Sequence, residues 1–271
     1  MIRVELVKML RRPRTWVTIV LLNALPTLVA VLLAVTDVGP RPGQGPAFLS
    51  AVLTDGTLFP LAALAIVLPL FMPVAVAVVA GDAVAGEASG GTLRYLLTRP
   101  VGRTRLLVAK LVSVIAFVLL AVVVVAAVGY VVGRLLLGGG DATGLVTGVS
   151  GTSLTSTQLV ERTLMSIVYV TLSMLGVAAM ALMLSTMTDS AVGAALGALA
   201  FLIASTLLLT LDAAAVLQPY LPTRYWLSFV DLFRDPILWR DIDRGVLLQG
   251  VYVLVFLGAA WANFTTKDIT S

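Results

Sequence analysis

Residues 86–110, GEASGGTLRYLLTRPVGRTRLLVAK, interrupt two apolar runs with a burst of charge. One acid, Glu87, stands among five cations: Arg94, Arg99, Arg103, Arg105 and Lys110. The run before it, residues 59–80, has no charged side chain. The run after it, residues 106–137, is long enough to cross a bilayer, which takes about 20 apolar residues as a helix. A polar stretch so placed reads as a loop between two membrane spans.

The rest of the chain follows the same pattern. Of 271 residues, 59% are hydrophobic and 12% charged, and mean hydropathy is +1.05. A soluble domain carries about 25% charged residues, so this surface is not made for water. Six apolar stretches qualify as spans: 16–35, 59–80, 106–137, 164–184, 191–211 and 246–264. The first is too long for the apolar core of a signal peptide and reads as an uncleaved span. The predicted fold is an all-α polytopic membrane protein, a single transmembrane domain over residues 1–271.

Charge sets the expected orientation. With the N-terminus inside, eleven cations face the cytoplasm and seven face outward. Four of the seven, Arg224, Arg234, Arg240 and Arg244, share their loop with five aspartates. Both ends of the chain are therefore expected inside. Trp16, Trp226, Trp239 and Trp261 fall near span ends, as interfacial aromatics do.

Two further helices are predicted. Residues 1–14 place Ile2, Leu6, Met9, Leu10 and Pro13 on one side, with Lys8, Arg11 and Arg12 elsewhere, as in an interfacial helix. In the outer segment 212–244, Trp226, Phe229, Val230 and Phe233 repeat at i, i+3, i+4, i+7. That stripe predicts a short helix, dipping into the outer leaflet or capping the bundle.

Several chemistries are excluded by composition. Without cysteine or histidine there is no thiol nucleophile, disulfide, imidazole base or Cys/His zinc site. The span centres hold no Asp, Glu, Lys or Arg, which argues against a proton-coupled carrier. No GK dipeptide occurs, so there is no phosphate-binding loop, despite the glycines of GDAVAGEASGG. The outer aspartates Asp231, Asp235, Asp241 and Asp243 alternate with arginines and read as a salt-bridged loop. Gly129/Gly133 and Gly193/Gly197 are small-xxx-small pairs, open to helix packing within the chain or to a dimer interface. Asn23 and Pro26 either line a cavity or bend the first span.

Within the quoted stretch, Leu93, Leu96 and Leu97 share one face of a turn that Pro100 ends. They bury against this chain's own helices or against a partner. The order Glu87, Gly91-Thr92-Leu93, Leu96-Leu97, Arg99-Pro100-Val101, Arg103, Leu106-Leu107, Lys110 resembles the first cytoplasmic loop of ABC-2-type transporter permeases. The six spans, the short turn 185–190, the aromatic outer segment and the ending WANFTTKDI are similar to that family as well. Its loop is usually more charged; ASGG at 88–91 departs from it and weakens the expected start of the coupling helix.

The resemblance implies a permease subunit of a bacterial inner-membrane exporter of hydrophobic or amphipathic molecules, drug-, peptide- or lipid-like. It implies two ATPase subunits that bind ATP and Mg, and a second permease in a homo- or heterodimer. The chain itself would need no cofactor and would contact membrane lipid but no nucleic acid. Loop 83–104 would be the coupling element, with Glu87, Thr92, Leu93, Leu96, Leu97, Arg99 and Arg103 at the ATPase. Lys8, Arg11 and Arg12 would lie on a connecting helix. Asn23, Trp226, Phe229 and Phe233 would serve a cavity or an outer gate. A standalone carrier or channel is the competing expectation.

Overall fold

A computed structural model describes residues 1–36, 55–90, 102–138, 145–147 and 150–266. Among these the chain is helical almost throughout. Helix α1 (Ile2–Arg11) turns directly into α2 (Pro13–Thr36). A 3₁₀ turn (Gly56–Leu58) leads into α3 (Phe59–Val67), followed by α4 (Phe71–Ser89) and α5 (Arg103–Leu136). Strands β1 (Leu145–Thr147) and β2 (Ser153–Thr155) pair antiparallel, Val146 opposite Leu154. Then come α6 (Ser156–Met187), α7 (Ala191–Leu209), a 3₁₀ helix (Trp226–Phe233) and α8 (Trp239–Thr266).

Six of these helices, α2 and α4 to α8, are long and apolar enough to cross a membrane. The chain is a multi-pass membrane protein by that measure. At about 1.5 Å per residue, α5 is roughly 51 Å long against a hydrocarbon core of about 30 Å. It must project beyond the core.

The start and stop signals are local. Pro13 opens α2, where its missing N–H costs nothing. A reciprocal capping box starts α6: Thr155 Oγ1 accepts from Gln158 N at 3.3 Å, and Gln158 Oε1 accepts from Thr155 N at 2.9 Å. Ser190 Oγ accepts from Gly193 N at 3.1 Å and caps α7 across a tight hairpin.

The expected second span, residues 59–80, is not one helix. It breaks between Val67 and Phe71. Pro69 has no N–H to give Ala65, so the ladder stops there. Pro73 falls in the first turn of α4, where a proline is tolerated. The polar loop expected at residues 83–104 also starts later, because α4 runs on to Ser89.

Short α3 is buried along nearly its whole length. It sits against α5 because Gly129 and Gly133 leave room. A methyl at Gly133 would collide with Gly56 O and Phe59 Cβ, and one at Gly129 would lie 3.0 Å from Ala63 Cβ. Phe59, Leu61, Leu64, Met72 and Phe117 fill the core around it.

Polar contacts define the two ends of the bundle. Arg103 Nη1 donates to Thr265 O at 3.0 Å, Trp261 Nε1 to Thr104 Oγ1 at 3.0 Å, and Asn263 Nδ2 to Thr186 Oγ1 at 3.1 Å. With α1, these residues form the terminal end. At the opposite end Arg162 Nη1 donates to Arg234 O at 3.0 Å and Asp235 N to Ser150 Oγ at 3.1 Å.

The aromatic stripe of the outer segment forms a 3₁₀ helix rather than an α-helix. With three residues per turn, Trp226, Phe229 and Leu232 fall on one line. These and Phe233 are buried, while Val230 is only partly so. The expected ring therefore exchanges Val230 for Leu232. The aromatics belong to the protein core, packed with Tyr169, Val170 and Ile242 of α6 and α8.

Candidate functional site

The terminal end carries most of the described lysines and arginines. It begins with the turn from α1 to α2. Arg12 precedes a proline and adopts an extended backbone (ψ 123°), which stops α1. The carbonyls this frees find donors. Thr15 Oγ1 bonds Met9 O at 2.8 Å, and Trp16 Nε1 bonds Leu10 O at 2.8 Å. The bend lays α1 across the ends of α4 and α5.

At 100° per residue Glu5, Lys8, Met9 and Arg12 point into the bundle, while Arg3, Val4, Val7, Leu10 and Arg11 point out. Glu87 of α4 receives the inward cations. Its Oε1 accepts from Lys8 Nζ at 2.5 Å, and its Oε2 lies 2.6 Å from Lys110 Nζ of α5. Lys110 is 2% exposed and Glu87 6%, so this pair is dry; Lys8, at 39%, stands at its rim.

One turn earlier on α4, Asp82 Oδ2 accepts from both Arg12 Nη1 at 2.9 Å and Arg14 Nη2 at 2.6 Å. Gly86 makes room for that carboxylate, since a methyl there would overlap it. Each acid of α4 thus holds two cations. Together they tie α1, α2 and α5 to the last turns of α4. Between them lies a cavity of about 90 Å³.

The same segment of α4 is held from behind. Ser185 Oγ, fully buried on α6, donates to Gly81 O at 2.6 Å and accepts from Ala85 N at 2.9 Å and Val84 N at 3.1 Å. Gly81 O and Ala85 N are the pair an α-helix joins directly; here a hydroxyl stands with both. A methyl at Gly81 would lie 3.0 Å from Ala195 N, so α4 and α7 touch backbone to backbone.

Two apolar cavities flank α6 toward the opposite end. One, about 530 Å³, lies between Met165, Tyr169, Leu232, Trp239 and Val246; Glu161 is at its edge. The other, about 260 Å³, lies between Pro60, Val123, Tyr130 and Leu164. Tyr169 donates its hydroxyl to Tyr225 O at 2.6 Å, and Gln249 Nε2 donates to Pro222 O at 2.7 Å. These bonds fix the floor beneath the 3₁₀ segments. Among the described residues no three Asp, Glu, His or Cys side chains group as a metal site.

The residues singled out in the sequence fall as follows. Thr92, Leu93, Leu96, Leu97 and Arg99 lie outside the described residues. Arg103 bonds the end of α8. Glu87 turns inward to Lys8 and Lys110, on a helix instead of in a loop. Lys8 and Arg12 join the cluster, whereas Arg11 is exposed on the other face of α1. Gly129 and Gly133 pack against α3. Gly197 lies against Leu184 and Gly193 against its own cap, Ser190. Asn23 Nδ2 donates to Ile19 O of its own helix at 2.8 Å.

The paired cluster and Ser185 were not singled out as a site. Lys110 gave a signal: a lone cation one turn inside an apolar span needs a counter-charge. Glu87 and Asp82 were the acids nearest to hand.

The family model that matches residues 46–270 is described as "Protein of unknown function (DUF2705)". The chain belongs to this family. The DUF2705 match overturns the ABC-2-type assignment, for which no family model matches. There is a physical reason why the loop resemblance misled. Glu87 and Lys110, two of its anchors, bind each other in the bundle, so packing alone accounts for their presence. No curated protein matches this DUF2705 chain.

Proposed function

We propose that this chain is the membrane subunit of an exporter that moves hydrophobic or amphipathic molecules, with energy from a separate ATPase chain. The observation that carries the reading is the cluster at the terminal end. It joins α1, α4 and α5 into one charged platform around the ends of α4 and α5, from which residues 91–101 depart. The excess of Lys and Arg in residues 1–14 and 94–110 supports a cytoplasmic position for that platform. The chain lacks a phosphate-binding lysine loop, so the nucleotide would belong to a partner. Solute would pass along apolar surfaces such as the two cavities beside α6. By the charge rule both ends of the chain would face the cytoplasm, and a second membrane subunit would complete the pathway.

The test is purification of the full chain with its native partners from solubilised membranes. The expected result is a complex with a chain bearing GxxxxGK[ST], whose ATPase activity rises with an apolar solute. Leu96→Asp with Leu97→Asp should release that chain. Solute movement by this chain alone in vesicles would refute the reading.

A standalone carrier is the second reading. The break between α3 and α4 favours it, because discontinuous helices often hold substrates in such carriers. Against it, the flanking Val67, Leu68 and Met72 are buried and apolar, and supply no side-chain ligand for a coupling ion.

A further inference from the structure

We propose that the cavity between α1, α2 and α4 is a headgroup site for an acidic phospholipid. Its volume, about 90 Å³, is several times the ~10–15 Å³ that a single water needs, room for a phosphate-sized group. Its walls carry four cations, Lys8, Arg12, Arg14 and Lys110, against three acids, Glu5, Asp82 and Glu87. One positive charge is therefore left over.

The arginines are the receiving groups. Arg12 and Arg14 both bond the same oxygen, Asp82 Oδ2, through one nitrogen each. A guanidinium has five N–H donors, so most of each fork is available to an anion. Arg14 is 55% exposed and can turn to meet one. Forked guanidinium donors match phosphate oxygens closely.

The walls select a lipid over a free anion. Beyond the arginines the cavity is bounded by Thr18, Val78 and Val79, which lead onto the apolar flank of the bundle. Val17 and Leu21 of α2, flanking Thr18, are exposed. Acyl chains can follow that flank while the phosphate stays with the arginines. Trp16, two residues after Arg14 and exposed, sends its indole N–H to Leu10 O, as rings at headgroup level do. The outward face of α1 mixes Val4, Val7 and Leu10 with Arg3 and Arg11, as a helix in the interface does. Basic pockets between spans are a known way to hold acidic headgroups. The site requires only that the chain be in a membrane, and no ATPase.

The test uses the full chain, purified alone, in nanodiscs of phosphatidylcholine with or without phosphatidylglycerol. Native mass spectrometry counts the lipids retained, and a titration with short-chain phosphatidylglycerol gives the affinity. We expect selective retention of phosphatidylglycerol. Arg12→Gln with Arg14→Gln should weaken it about thirtyfold, about fivefold per arginine. Asp82→Asn, which keeps both arginines and removes their competitor, should strengthen it. Phosphatidylglycerol held equally by R12Q/R14Q and the parent would overturn the proposal. So would an unchanged or weaker affinity in D82N, which decides the matter if the double variant does not fold. Displacement of the lipid by inorganic phosphate at equal concentration would mark a free-anion site and also overturn it.

Discussion

Glu87→Gln is the perturbation that most directly probes the terminal end. Lys110 and Glu87 are 2% and 6% exposed and 2.6 Å apart. Gln has almost the shape of Glu, so the change removes charge and little else. Lys110 is then left buried without its paired carboxylate. Breaking a buried ion pair from one side costs about 3–5 kcal/mol, mostly the penalty of the stranded charge. Lys8, 39% exposed, behaves differently: Lys8→Met should cost no more than about 1 kcal/mol, as rim ion pairs do. Replacing both buried partners, Glu87→Gln with Lys110→Met, should recover most of the loss, since neither charge then needs solvating. The assay is denaturant unfolding in mixed micelles, followed by fluorescence of the four tryptophans. A cost below about 1 kcal/mol for E87Q, or a double variant no better than the single, would refute the claim of a dry pair.

Gly133→Ala should cost about 1–3 kcal/mol, because its methyl overlaps Gly56 O and Phe59 Cβ, while Gly250→Ala, open on every side, should cost nothing; the same unfolding assay compares them. Tyr169→Phe should lose about 1–3 kcal/mol by stranding the Tyr225 carbonyl, with faster hydrogen exchange in residues 218–233 as the local readout. The chain has no cysteine, so Ser89→Cys creates a single reactive thiol at an exposed position. An impermeant reagent should label it from the cytoplasm alone, and labelling from outside would reverse the orientation.

The six long helices were legible because a bilayer demands unbroken apolar runs, and such runs survive any detail of packing. What the sequence hid were features set by contact between distant segments. The break at Pro69 was visible as a proline, yet hydropathy stays high across it and a window sees one span. Leu232 was missed because a 3₁₀ helix repeats at three residues, whereas the stripe was read at 3.6. Lys110 and Glu87 lie 23 positions apart, and only the antiparallel course of α4 and α5 makes them neighbours. Leu93, Leu96 and Leu97, whose shared face reads as packing against this chain or a partner, lie outside the described residues.

Ser185 has a mechanical consequence. An α-helical turn normally has one length, fixed by a direct bond from N–H to carbonyl. Between Gly81 and Ala85 of α4 a hydroxyl borrowed from α6 serves both groups. A rotating O–H tolerates a longer gap than a direct bond, so the hydroxyl would keep both partners were that turn to lengthen. Asp82 sits within that turn and Glu87 just beyond it, so any flexing there would carry their paired cations with it.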